Sequence, residues 1–164
     1  MEMSGHGRTG VVPGRLEAAL ARAESTEAMY HSLVDRLPAI TYTEALDDGR
    51  TLSISPQIEL LLGCSQDEWM ADPLLWMSMM HPDDVDRVVL ECHDRNQDDK
   101  PFRSEYRMIA RDGRVVWFRD EAIIVRGSAG QRLCWQGLML DITGQREAEE
   151  SIRRIATSAS APPE

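Results

Sequence analysis

No apolar run in this chain approaches the ~20 residues that a membrane-spanning helix needs. The opening Met1-Glu2-Met3-Ser4-Gly5-His6-Gly7 has no apolar stretch of the signal-peptide kind. Basic residues are scarce, with 18 Lys and Arg against 28 Asp and Glu and a net charge of −10. Nucleic acid and anionic membrane both select clustered Lys and Arg, so neither is expected as a partner. Cysteine is rare too: Cys64, Cys92 and Cys134 are far apart, odd in number and form no C-x-x-C. That points to reduced, buried thiols and away from a disulfide framework or a zinc site. A P-loop, a nucleophile elbow and a G-x-G-x-x-G turn are all missing. The expectation is a soluble, cytoplasmic, non-catalytic chain.

What is present suits one domain with extensions, since the chain has 164 residues and 42% of them are hydrophobic. Residues 1–14 carry four glycines and Pro13 and are expected to be disordered. Over residues 15–37, Leu16, Leu20, Ala23, Tyr30, Val34 and Leu37 recur at spacings of four and three, with Glu27 a misfit in the seam. This flanking helix either folds back on its own domain or pairs with a second copy. Pro38 stops it.

Residues 38–143 read as the domain proper. Ala39 to Ala45 and Thr51 to Ser55 form a hairpin through Asp47-Asp48-Gly49. Ser55 is placed to cap a short helix that begins at Pro56 and ends at Gly63. Ser65-Gln66-Asp67-Glu68 has capping-box spacing and starts another. Pro73 to Met80 adds a third short apolar segment. His81-Pro82-Asp83-Asp84 opens the longest internal helix, with Val85, Val88, Val89 and Cys92 on one face. Phe102 to Ala110 and Arg114 to Val125 make a long hairpin. If Asp112-Gly113 is a two-residue turn, Met108 faces Trp117 and Ile109 faces Val116. Arg132 to Ile142 is the final strand. A charged helix follows over 144–157, with Thr143 as its cap and Asp141 free to bond nearby backbone or Arg146, and residues 158–164 form a tail. The order gives an α+β fold whose helices enter the sheet as one inserted block.

Four segments carry a family resemblance over about Leu33 to Arg154. They are Ser55-Pro56-Gln57-Ile58 with Leu61-Leu62-Gly63, His81-Pro82-Asp83-Asp84, Tyr106-Arg107 through Arg111-Asp112-Gly113 to Trp117, and Asp141-Ile142-Thr143 with Arg146. In this order they resemble the PAS domain of bacterial signalling proteins, with its C-terminal PAC-like motif. The resemblance implies a five-stranded antiparallel sheet with helices cupped on one face, flanking helices at both ends and, often, a small cavity. It also implies sensing, homodimerisation and control of an output domain outside this chain, of histidine kinase, diguanylate cyclase, cyclic-di-GMP phosphodiesterase or phosphatase type. The alternative is a ligand-free dimerisation or interaction module.

The site expectations follow from that frame. A pocket for a small-molecule ligand would draw on Ile54, Met70, Trp76, Met77, Met80, Val85, Val89 and Leu138, although the Trp and Met residues equally suit a closed core. Asp141, Thr143 and Arg146 would form the signal junction. The cofactor is unknown. Flavin is not expected, because the Asn-Cys-Arg-Phe-Leu-Gln motif of flavin photosensors is missing. Haem is not expected either, because His93 falls about 90° from the apolar stripe of its helix. The His81-Asp83-Asp84 cluster reads as a helix start and not as a metal site.

Overall fold

In the computed structural model, residues 38–98 and 100–159 are described, together with Glu17, Ala18, Ala21, Arg22 and Ser25 of the lead segment. The chain divides into two units, residues 1–37 and 38–164. In the first, those five residues are helical and exposed. The seam residues Leu16, Leu20, Ala23, Tyr30, Val34 and Leu37 lie outside the described residues, as do 1–14.

The second unit is a five-stranded antiparallel sheet in the order β2-β1-β5-β4-β3. The strands are β1 (Ala39–Glu44), β2 (Thr51–Ile54), β3 (Phe102–Ile109), β4 (Val115–Arg126) and β5 (Arg132–Asp141). Between β2 and β3 come α1 (Gln57–Leu62), α2 (Gln66–Ala71), α3 (Leu75–Met79) and α4 (Pro82–Asp98), and α5 (Thr143–Ala159) follows β5. Every second strand residue turns inward: Tyr106 and Met108 on β3, Val116 and Phe118 on β4, Trp135 and Met139 on β5. Ile58, Leu62, Trp69, Met79 and Val88 of the inserted helices pack against that face as one core.

Local chemistry explains the helix boundaries. Ser65 Oγ accepts from Glu68 N–H while the Glu68 carboxylate accepts from Ser65 N–H, a complete capping box on α2. Ser55 behaves differently from expectation. Its hydroxyl accepts from Thr41 N–H at 3.0 Å, tying β1 to the end of β2, and α1 starts without a side-chain cap.

The β3–β4 turn also differs. Met108 pairs with Val116 and Ile109 with Val115, one residue away from the expected register. Gly113 N–H bonds to Ala110 C=O at 2.9 Å and Gly113 sits at φ 86°, so the loop has three residues and a left-handed glycine. The shift has a packing cause. It brings the buried Met108 and Val116 onto one face, whereas the two-residue turn would set Met108 against the half-buried Trp117.

Candidate functional site

Between the sheet and the inserted helices lies a cavity of about 210 Å³. Its floor is β-sheet: Tyr42 of β1, Ile54 of β2, Phe102 of β3, Asp120 of β4 and Met139 of β5. Trp69, Trp76, Met77 and Cys92 close it from the helical side. Glu44, Gly49, Thr51, Asp72 and Pro73 complete the wall.

The polar centre is Asp120, 3% exposed at an inward position of β4. The Tyr42 hydroxyl donates to its Oδ1 at 2.8 Å and the Tyr106 hydroxyl to its Oδ2 at 2.7 Å. Trp76 Nε1–H in turn donates to the Tyr106 oxygen at 3.0 Å, and the two rings meet edge to face at 6.0 Å. Burial pushes both phenol pKa values well above the usual range, and the neighbouring Asp120 charge adds to it. Both tyrosines therefore stay protonated and act as donors. Gly137 makes the geometry possible. It pairs with Tyr42 across β1 and β5, and a Cβ there would stand 2.2 Å from the Tyr42 ring. The bare backbone lets the phenol lie across β5 toward β4.

Ile54, Trp76 and Met77 of the expected pocket set lie in this wall. The others do not. Met70 and Leu138 are exposed, and Met80 is buried in the core, where its backbone bridges Met108. Val85 and Val89 are half-buried on α4, which contributes Cys92 to the wall instead. Leu138 fails by one position: β5 turns Gly137 and Met139 inward, so Leu138 points to the opposite face. Tyr42, Asp120 and Gly137 escaped the sequence reading. The signals were a carboxylate in phase with Val116, Phe118 and Ala122, and a glycine in a strand interior. Cys64 is buried with its sulfur 3.9 Å from Met79 Sδ, and burial raises its pKa. His93 is exposed on α4.

The opposite face of β3 and β4 carries charge. Arg107 donates from Nε to Asp84 Oδ2 at 2.9 Å and from Nη2 to Asp84 Oδ1 at 3.0 Å, and its backbone N–H bonds to Oδ2 as well. Arg107 thereby holds the Asp84 carboxyl below the usual carboxylate range. His81-Asp83-Asp84 is thus more than a helix start, since Asp84 anchors α4 to β3. The Arg107 guanidinium lies 5.4 Å from the Trp117 ring centre, and that of Arg146 lies 4.9 Å from it. Arg146 pairs with Glu105, which Arg119 also holds at 2.8 Å. Hydrogen bonds from Arg119 and then Arg146 lower the Glu105 pKa.

At the start of α5, Asp141 bonds nearby backbone as expected, whereas the Thr143 hydroxyl turns to β4. Asp141 Oδ1 accepts from Thr143 N–H at 2.8 Å and so serves the helix end. Thr143 Oγ1 accepts from Trp117 N–H at 3.0 Å and stitches the helix to β4. Arg146 goes to Glu105 and to the Trp117 ring, and the Asp141 carboxylate goes to the Thr143 backbone.

Among the described residues, no helix is long and apolar enough to cross a membrane, and no cluster of His, Cys, Asp and Glu is built to hold a metal ion. The comparisons with known proteins agree with the fold. The chain is 28% identical over 152 residues to a methyl sulfide methyltransferase-associated sensor of Methanosarcina acetivorans, spanning 88% of this chain and 15% of that protein. It is 27% identical to the two-component sensor PprA of Pseudomonas aeruginosa, over 80% of this chain and 14% of the sensor. The chain thus spans about a seventh of these relatives. Among solved structures, the N-terminal domain of a diguanylate cyclase with PAS/PAC sensor from Marinobacter aquaeolei is 34% identical, with a TM-score of 0.58, over 66% of this chain and 98% of that one. A family model described as PAS fold matches residues 51–139. That is more than half of the chain, and the chain belongs to the PAS-fold family.

Proposed function

We propose that this chain is a non-catalytic, cytoplasmic sensory domain that binds a small molecule in the cavity, dimerises through its flanking helices and regulates an output domain of a longer protein. The observation that carries the reading is the nearness of cavity to junction along two strands. Met139 lines the cavity two residues before Asp141, and Asp120 lines it three residues after Trp117. A ligand that repacked Met139 or drew on Asp120 would move the strands that seat α5. Two packings of α5 against β4, differing in angle or register, suffice for a switch.

A second route reaches the same helix. α4 brings Cys92 to the cavity and Asp84 to Arg107, and Arg107 shares the Trp117 ring with Arg146 of α5. Exposed Ile152 and Ile155 on α5 give that helix an apolar edge for a second copy. The relatives' names, a sensor and a two-component sensor, fit this role and leave the output type open between kinase and cyclic-di-GMP enzymes.

The test has two parts. A compound screen followed by the Trp76 indole N–H resonance should find small molecules that shift it. In the longer protein, Asp141→Ala with Thr143→Ala should abolish the response of output to such a compound. Normal regulation in that variant would sink the junction. A Trp76 resonance unmoved across the screen would favour the ligand-free interaction module, which the exposed apolar edge of α5 also suits.

A further inference from the structure

We propose that the cavity selects a small neutral aromatic compound, a single ring with one short polar substituent of the benzylic alcohol kind. The inference rests on the sensory reading above and adds the chemical class of the ligand. The polar groups at the sheet already serve one another. The Tyr42 hydroxyl donates to one oxygen of Asp120 and the Tyr106 hydroxyl to the other, and Trp76 Nε1–H donates to the Tyr106 oxygen. This network joins three strands and α3, so a ligand need not bring a charge to complete it.

The inner wall is otherwise carbon and sulfur. Trp69, Trp76 and Phe102 bring rings to the space, and Met77 and Met139 bring thioethers. Aromatic pairs gain beyond the area they bury, and a thioether adds a favourable contact at a ring edge. A saturated ligand of the same size forgoes both. Ions fit less well. Among the described residues that line the cavity none is Lys, Arg or His, so an anion would give up water with no cationic side chain in the wall. An ammonium would give up its water to meet a carboxylate that two hydroxyls already hold.

Size and shape narrow the class further. An apolar cavity of ~150 Å³ holds benzene, and this one is about 210 Å³, room for a ring and a short side group. Sites for drug-sized ligands span ~300–1,000 Å³, so a nucleotide or a flavin does not fit. The wall also grades in one direction. Ile54, Phe102 and Met139 are buried, whereas Gly49, Asp72 and Pro73 are exposed and mark the mouth. A ring goes to the buried end and its hydroxyl stays at the mouth, where water can bond it.

The experiment uses four compounds on the 164-residue chain: benzyl alcohol, its charged counterparts benzylammonium and benzoate, and the saturated cyclohexylmethanol. Binding is read at neutral pH from the Trp76 indole resonance and by calorimetry. Benzyl alcohol should bind at least about tenfold tighter than either ion, and about threefold tighter than cyclohexylmethanol. Two variants fill the cavity from different sides, Met77→Trp from the exposed side of α3 and Cys92→Leu from α4. Each should weaken benzyl alcohol by about tenfold.

Equal or tighter binding of either ion, or of cyclohexylmethanol, overturns the neutral aromatic class while the sensory reading stands. So does silence from all four compounds in a folded protein. The sensory reading falls separately, if the broad screen also leaves Trp76 unmoved. Benzyl alcohol bound as tightly by the folded variants as by the wild type overturns its placement in the cavity.

Discussion

The two faces of β3 and β4 hold the molecule together by different means, residue by residue along the same strands. Tyr106 turns inward to the Asp120 carboxylate and Arg107 turns outward to Asp84. Asp120 turns inward and Arg119 outward to Glu105. Inside, two tyrosine hydroxyls bond one nearly buried carboxylate, and the loss of that carboxylate strands both donors. Outside, carboxylates meet arginines at the edge of solvent, where water can replace a lost partner. The inner contacts are buried and the outer ones are partly open to solvent. Alternation along a strand puts the cavity side chains one residue away from the contacts that seat α5.

The contrast can be broken first at its inner centre. Asp120→Ala should destabilise the domain by roughly 4 kcal/mol, because two buried hydroxyls lose their acceptor. Adding Tyr42→Phe and Tyr106→Phe should recover part of that loss, since no donor is then stranded. Urea denaturation reads both. Gly137→Ala should cost about 3 kcal/mol, because its methyl would displace the Tyr42 ring and break the bond to Asp120. Crystallography of that variant should find Tyr42 moved.

On the outer face the effects are smaller. Asp84→Ala should cost about 2 kcal/mol, since Arg107 is a quarter exposed and rehydrates in part. Acid should act on the same contacts. Asp84 and Glu105 both have folded pKa values below their unfolded ones. Their contribution is complete above the unfolded carboxylate range near pH ~4. It disappears as pH falls through the lower folded values. Asp84→Asn with Glu105→Gln should therefore flatten the acid limb of a stability–pH curve and leave its neutral region parallel to the wild type. Arg146→Ala should change stability by less than about 1 kcal/mol, yet alter regulation of the longer protein.

The fold was legible because its signals are local. The capping box at Ser65, the proline start at Pro82 and the Asp-Gly turn each satisfy a backbone requirement within a few residues. The cavity was legible only in part. Apolar residues occur on both faces of β5, so its phase could not be read from hydrophobicity, and Leu138 was expected where Met139 stands. The turn at Asp112-Gly113 was expected to be one residue shorter than it is, which changed every facing pair of the hairpin. The Asp120 hydrogen bonds join residues 14 and 78 positions apart. Only the strand order, with β1 brought beside β5, puts them together.

The most direct test follows both faces in one sample. The isotopically labelled chain is titrated with a compound that shifts the Trp76 indole N–H, while the Thr143 amide and the Trp117 indole are watched. Cavity and junction shifting together, with one midpoint, is the result expected of a sensor whose inner face drives α5. A Trp76 titration that saturates while Thr143 and Trp117 stay still would contradict it.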